Sequence, residues 1–212
     1  MKYDFTSIMD RHGKDAIAVD VVPQPDAAGN FVMKPLADVQ IKDGLDTIPM
    51  WVADMNFPTC PTIPQAIIER AQHPAFGYFQ PTEEYFDSII QWHETRNGVT
   101  GLKREHIGYE NGVLGGVISA LNVFCSKGDN VLLHTPTYIG FTSALTNNGY
   151  NMVLSPLVKD AEGVWRMDFE DMEEKFKEGV KLFILCSPHN PVGRVWTMEE
   201  LTRLNELCSR YQ

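Results

Sequence analysis

Between residues 106 and 211 two kinds of apolar pattern alternate, and this alternation restricts the fold more than any other feature of the chain. Short apolar runs at 106–110, 130–134, 151–157 and 181–186 read as strands. Segments of helical period separate them, at 113–126, 137–147 and 168–177, and Thr197 opens a last helix. Strands alternating with helices argue for an α/β fold with a largely parallel sheet. The inward stripes are expected to be Leu114, Val117, Ile118, Leu121 and Cys125, then Phe169, Met172 and Phe176, then Leu201, Leu204, Leu207, Cys208 and Tyr211. Run 181–186 is apolar except for Lys181, which predicts a central strand buried on both faces. Gly149 is placed to cap the helix before it, and Thr197 with Glu200 forms a capping box.

Upstream the texture differs. Residues 1–48 are punctuated by Pro23, Pro25, Gly29, Pro35 and Gly44, and no period survives long. They are expected to form an irregular arm that wraps something else. From Pro49 the pattern becomes regular. A helix is predicted over 62–72, with Ile63, Ala66, Ile67 and Arg70 on one face, and another over 82–97, with Phe86, Ile89, Ile90 and His93 aligned.

Twenty-eight acidic and 18 basic residues leave a net charge of −10. The basic residues are scattered, so nucleic acid and anionic membranes are poor partners. The longest apolar stretch, 113–125, is broken by Gly115, Gly116, Ser119 and Asn122, and falls short of the roughly 18 residues of a membrane span. Cys60, Cys125, Cys186 and Cys208 form no CxxC pair, and no metal site is expected. Cys125 and Cys186 sit in apolar runs and read as buried free thiols. Met1-Lys2-Tyr3-Asp4-Phe5 has no apolar signal core, so a reducing cytoplasm fits best.

Three turns carry the candidate chemistry. Glu110-Asn111-Gly112-Val113-Leu114-Gly115-Gly116 leads into a helix, where free N–H groups and the helix dipole suit a phosphate; a tight turn with small packing residues is the alternative. His134-Thr135-Pro136-Thr137-Tyr138 follows a strand, where ligands of open α/β sheets collect. Tyr138 there either stacks on a flat ring or fills the core. Ser187-Pro188-His189-Asn190-Pro191-Val192-Gly193-Arg194 follows the last strand, and Asn190 offers an amide to a ligand oxygen.

Asn190-Pro191-Val192-Gly193-Arg194 resembles the NPxGR signature of the fold-type I, pyridoxal-phosphate-dependent aminotransferase superfamily. The closer resemblance is to its MalY/PatB-type cystathionine β-lyase branch. It is carried also by Tyr3-Asp4-Phe5, Asp10-Arg11-His12-Gly13, Trp51-Val52-Ala53-Asp54-Met55-Asn56-Phe57, Phe76-Gly77-Tyr78 and Thr135-Pro136-Thr137-Tyr138. The resemblance implies an aminotransferase-like three-layer α/β fold. Residues 1–48 would be the arm and small-domain segment, and 49–212 the first part of the large cofactor-binding domain. It implies that the amides of Val113 and Leu114 hold the phosphate of pyridoxal 5'-phosphate. Tyr138 would stack on the pyridine ring, and Asn190 would hydrogen-bond its phenolic oxygen. Tyr78 would reach the phosphate of a dimer partner, and 51–57 would lie near the substrate carboxylate. Tyr138, Asn190 and the two amides are expected to converge on one pocket. The resemblance also implies a cis Asn190–Pro191 bond, and raises the same expectation for Thr135–Pro136.

The implied reaction is β-elimination from a sulfur amino acid such as cystathionine, releasing a thiol, pyruvate and ammonia. Transamination on the same scaffold, or a non-catalytic chain, are the alternatives. In the family the Schiff-base lysine lies well past the NPxGR motif, as do the acidic partner of the pyridine nitrogen and the arginine that takes the substrate carboxylate. The last lysine here is Lys181. The expectation is therefore the front part of a family member, incomplete at the C-terminus, with no catalytic residue within the chain and homodimeric when complete.

Overall fold

The computed structural model describes residues 3–27 and 31–211. Contacts divide the chain into two compact units, Met1–Phe79 and Gln80–Gln212. The change of sequence texture falls earlier, at Pro49, because the segment after it packs back on the arm. The Arg11 guanidinium lies 2.7 Å from the Asp54 carboxylate and 3.3 Å from Asn56 Oδ1, and Met9 N–H donates to the Asn56 carbonyl at 2.7 Å. The Phe5 and Phe57 rings meet edge-on at 5.5 Å.

The arm is not irregular throughout. A one-turn helix α1 (Ile17–Asp20) runs into β1 (Val21–Pro25), which pairs antiparallel with β2 (Phe31–Pro35). Pro23 and Pro25 read as breakers in the sequence. They lie two residues apart and so share one edge orientation, and a two-stranded ribbon has a free outer edge where a missing N–H costs nothing. β2 is exposed along its whole length, so no alternation of polarity marks it. Helix α2 (Thr62–Ala71) forms as expected, but its apolar face, with Ile63 and Ile67, is exposed.

The second unit begins with α3 (Glu83–Asn97), which buries Phe86 and ends on Gly98. The strand expected at 106–110 is absent. A single helical turn at Arg104–His106 takes up the Ile107 N–H, and Ile107 is the one aliphatic residue of the run. Then follow α4 (Gly112–Phe124), β3 (Asn130–Thr135), α5 (Ile139–Asn147) and β4 (Asn151–Pro156). A small ribbon of β5 (Val158–Lys159) and β6 (Trp165–Arg166) turns on Asp160, whose carboxylate accepts the Glu162 and Val164 N–H groups and pairs with Arg166. The chain continues through α6 (Phe169–Lys177), β7 (Val180–Phe183) and α7 (Met198–Arg210). The α7 capping box is made on both sides: Thr197 Oγ1 accepts from Glu200 N–H, and the Glu200 carboxylate from Thr197 N–H.

The sheet is parallel, in the order β4-β3-β7. β3, not β7, is therefore its central strand among the described residues, and the part-exposed β7 lies at an edge. Side chains of β3 alternate between two cores. Val131 and Leu133 pack with Leu121 of α4 and Phe141 and Leu145 of α5. Leu132 packs on the other face with Met172 and Phe176 of α6 and Leu204 and Leu207 of α7. The result is three layers, helices on both faces of a parallel sheet. The inward stripes of α4, α6 and α7 are those the periodicity predicts. β7 keeps step through a bulge: Asn130 pairs with Val180 and Val131 with Leu182, so Lys181 is passed over.

Leu132 is fully buried under α6 and α7. Leu132→Ala is expected to cost about 2–5 kcal/mol, whereas Phe31→Ala on exposed β2 should change stability by less than about 0.5 kcal/mol. Urea unfolding followed by circular dichroism measures both.

Candidate functional site

The loops leaving the carboxyl ends of β3 and β7 adjoin each other, and the starts of α4 and α5 stand beside the first of them. At the start of α4, Gly112 has φ +76° and donates its N–H to the Glu110 carbonyl at 2.9 Å. Only glycine takes that conformation without strain, and it turns the chain into the helix. Asn111, at the N-cap position, places no side-chain hydrogen bond on the first turn. The amides of Val113 and Leu114 therefore keep their donors at the positive end of the helix dipole. The Val113 side chain is exposed, and that of Leu114 is half-buried.

Tyr138 is the N-cap of α5 and 38 % exposed. Its ring meets Phe141 edge-on at 5.5 Å and lies over Gly140. A Cβ on Gly140 would stand 2.3 Å from Tyr138 Cε1 and 3.0 Å from Leu114 Cδ1. The Tyr138 ring and the first turn of α4 thus meet at one glycine. Glu110, Asn111, Leu114, Gly115 and Gly140 line a shallow cleft there. Glu110 folds back against Gly115 and Gly116, so its carboxylate faces the same first turn.

Asn190 is exposed in the loop after β7. Its neighbour His189 is buried, and His189 Nε2 donates to the Pro136 carbonyl at 2.8 Å. This bond joins the Asn190 loop to the Tyr138 loop. The Asn190–Pro191 and Thr135–Pro136 bonds are both cis, as expected, and Ser187–Pro188 is cis as well. Arg194 turns back from the ligand side: its guanidinium donates to the Trp165 carbonyl at 3.1 Å and reaches the Glu200 carboxylate at 2.8 Å. The loop is thereby tied to the start of α7.

Beneath the loops, His134 is 1 % exposed and packs on Phe183 and Trp196. Its Nδ1 lies 3.3 Å from the Ser155 carbonyl, while Ser155 Oγ donates to Asp171 at 2.5 Å. Burial pushes the His134 pKa down from 6.5 to about 4, against the smaller upward pull of its bond to Ser155. Trp196 Nε1 donates to the Cys186 carbonyl at 2.8 Å.

In the first unit, Tyr78 is fully exposed. Trp51 lines a cavity with His12, Val22, Leu36 and Ile48. Cys125 and Cys186 are free thiols, but half-buried rather than buried: Cys125 caps the end of α4, and Cys186 lies in the loop after β7. Two residues of the site had no assigned role in the sequence. Gly140 has no motif of its own, and only the ring above it gives it meaning. His189 stands just before the signature, between Pro188 and Asn190, and no motif singles it out.

The class I and II aminotransferase profile matches residues 46–212. The chain belongs to the class I and II aminotransferase family. It is 39 % identical over 164 residues to the cystathionine β-lyase PatB of Bacillus subtilis, covering 77 % of this chain and 42 % of that protein. It is 31 % identical over 211 residues to the MalY protein of Escherichia coli, covering 99 % of this chain and 50 % of the relative. The chain thus spans about half the length of the curated relatives it matches. Among solved structures it resembles the pyridoxal-phosphate-bound C–S lyase of Staphylococcus hominis, with a TM-score of 0.77 and 33 % identity over 99 % of this chain and 49 % of the other. Cystalysin of Treponema denticola, which contains pyridoxal 5'-phosphate, matches with a TM-score of 0.79 and 27 % identity over 99 % and 50 % of the two chains. The three-layer fold is that of the aminotransferase-like enzymes.

Two outcomes follow from this geometry. Gly140→Ala should displace the Tyr138 ring rather than unfold the chain, because the clash falls on the far end of one side chain. Tyrosine ring resonances in NMR should shift for Tyr138, with stability lowered by less than about 1 kcal/mol. His134 should also make the fold acid-sensitive. Its folded pKa lies below the unfolded one, so the unfolded chain binds the proton first, and stability is lost as pH falls from 6.5 towards 4. The contribution is on the order of 3 kcal/mol. In His134→Asn, urea unfolding at successive pH values should show a shallower acid limb, whatever the overall loss.

Proposed function

We propose that the chain is the cofactor-binding half of a pyridoxal-phosphate-dependent carbon–sulfur β-lyase that acts on cystathionine-like amino acids. The observation that carries this reading is the meeting of Leu114 with the Tyr138 ring at Gly140, with the Asn190 loop bonded to the Tyr138 loop through His189. The donor set fits the group. Two uncapped amides at a helix start suit a phosphate dianion. A half-exposed aromatic face suits a flat heterocycle. An exposed carboxamide can donate to a phenolate oxygen and thereby favour its ionised form. Similarity to lyases described as pyridoxal-phosphate-bound supports the same assignment.

When bound, pyridoxal phosphate supplies an electron sink for the pair left behind when the substrate loses its α-proton. The chain's own residues orient that sink. Val113 and Leu114 fix the phosphate end, Tyr138 covers one face of the ring, and Asn190 holds the oxygen-bearing edge. Glu110, whose carboxylate lies against Gly115, would have to turn away from the helix start for a phosphate to be held there. In this reading Tyr78 serves the phosphate of a partner subunit in a homodimer, which its exposed ring at the end of the first unit supports. Four free thiols among the described residues support a reducing compartment such as the cytoplasm.

The lysine that anchors the cofactor and takes the α-proton is proposed to come from sequence beyond these 212 residues. Lys127 is engaged by Asn122 and Tyr150, Lys159 lies over Trp165, and Lys175 pairs with Asp171. The test is release of thiol and pyruvate from cystathionine with added pyridoxal phosphate. The 212-residue chain should give no turnover above free cofactor, since general-base help alone is worth about 10²–10⁴-fold. The protein purified from its source cells should give both products. Turnover by the 212-residue chain would overturn the placement of the lysine. Keto-acid formation without thiol release by the source protein would make it a transaminase.

A further inference from the structure

The loops that bear Tyr138 and Asn190 belong to different strands, 52 residues apart in sequence, and neither has regular structure of its own. Something must hold them at the spacing a flat ring needs. The candidate is buried directly between them. His189 is 2 % exposed, and its Nε2 lies 2.8 Å from the Pro136 carbonyl, two residues before Tyr138. A carbonyl oxygen only accepts, so His189 carries its proton on Nε2. Its Nδ1 is buried without a hydrogen-bond partner. Across the pocket, His134 Nδ1 points to the Ser155 carbonyl, and His134 Nε2 is equally buried and unpaired. The two rings are 6.1 Å apart, and both pack on Trp196, at 6.0 Å for His134 and 5.7 Å for His189.

Each of these features constrains His189. Its backbone N–H donates to the Arg194 carbonyl at 2.8 Å, and its own carbonyl accepts from Gly193 N–H at 2.7 Å, so the loop closes around it. Trp196 and His134 wall the ring. One polar contact remains, and it crosses to the other loop. A side chain that served only to fill the space would need no nitrogen there: leaving Nδ1 unpaired in the interior costs free energy, and an apolar ring of equal size would avoid that cost. The Nε2–H bond is what the imidazole adds over a phenyl ring.

We propose that His189 is a positioning residue that latches the Tyr138 loop to the Asn190 loop through its bond to the Pro136 carbonyl. This rests on the cofactor reading above for its functional meaning, but the latch itself is a property of the chain. It touches neither phosphate nor ring, and acts by setting the distance between the residues that do. The Nε2–H tautomer is required, and the neutral neighbour His134 leaves it undisturbed.

The 212-residue chain suffices for the test. Two-dimensional NMR of the histidine side chains should show the Nε2–H tautomer at His189; an Nδ1–H tautomer would overturn the proposal without any mutation. His189→Phe keeps the ring and loses the donor. Amide exchange at Phe141 and Leu157, whose N–H groups donate to the Tyr138 and Thr135 carbonyls of this loop, should then quicken about tenfold, and His189→Gln, which restores an N–H at similar reach, should recover most of the protection. Equal exchange in all three proteins would refute the latch. Titration with pyridoxal 5'-phosphate, followed by the Val113, Leu114, Tyr138 and Asn190 resonances, separates the two claims. If the unaltered chain shows no response, the cofactor reading fails while the exchange result still decides the latch. If it responds, His189→Phe should weaken affinity about tenfold and His189→Gln should restore it. Undiminished affinity in His189→Phe would refute the positioning role.

Discussion

β3 is the strand on which everything else is hung. It is the one strand of the parallel sheet with a neighbour on each side among the described residues, and four consecutive residues, Val131 to His134, are buried. Two faces of one strand seed two cores. Val131 and Leu133 gather α4 and α5, while Leu132 gathers α6 and α7. The strand also ends in the loop that carries Tyr138, so the most deeply packed element of the unit delivers a candidate ligand-binding residue to the surface. A rigid strand followed by an exposed loop is how α/β sheets present chemistry at their carboxyl ends.

The site built there uses backbone and side chains for different work. In the proposed function, phosphate recognition falls to amides at the start of α4, where the identity of the side chain is free to vary, and Val113 indeed projects into solvent. Gly112 shapes the turn that exposes those amides. Ring recognition falls, in the same proposal, to the Tyr138 ring and the Asn190 carboxamide, which depend on being held in place. Gly140 gives the ring its seat by having no Cβ. Arg194, bonded to Glu200 and to the Trp165 carbonyl, anchors the far end of the Asn190 loop to α7.

Much of this was legible in the residues. Helical stripes such as Phe169, Met172 and Phe176 survive intact because a helix displays its periodicity whatever surrounds it. Thr197 and Glu200 announce their capping box for the same local reason. Strands proved harder. Residues 106–110 lack a ladder partner, and strand character depends on partners more than on composition. β1 and β2 were hidden by prolines that an outer edge tolerates and by an exposed face with no apolar alternation. The buried run 181–186 looked central, yet centrality belongs to the order of strands and not to one strand's composition. Among the site residues, Tyr138 and Asn190 were marked by motifs, while Gly140 and His189 were not. Their roles exist only through another residue, a ring above one and a carbonyl beside the other, and no linear pattern encodes such a pairing.

The two buried histidines show why the polar interior of this unit is concentrated where it is. Away from the loops, the layers on either face of β3 are packed almost wholly with Leu, Val, Met and aromatic side chains. Polar atoms enter the core at the carboxyl ends of the strands, where the chain turns into its loops. There the backbone carbonyls of Pro136, Ser155 and Cys186 receive side-chain nitrogens from His189, His134 and Trp196. A buried carbonyl without a partner is costly, and an imidazole or indole nitrogen meets that need while its ring continues the packing. The same three rings pack against one another, tilted or edge-on, and tie both loops to the sheet. Satisfying the ends of the strands and holding the candidate site in register are thus one structural act, performed by the same atoms.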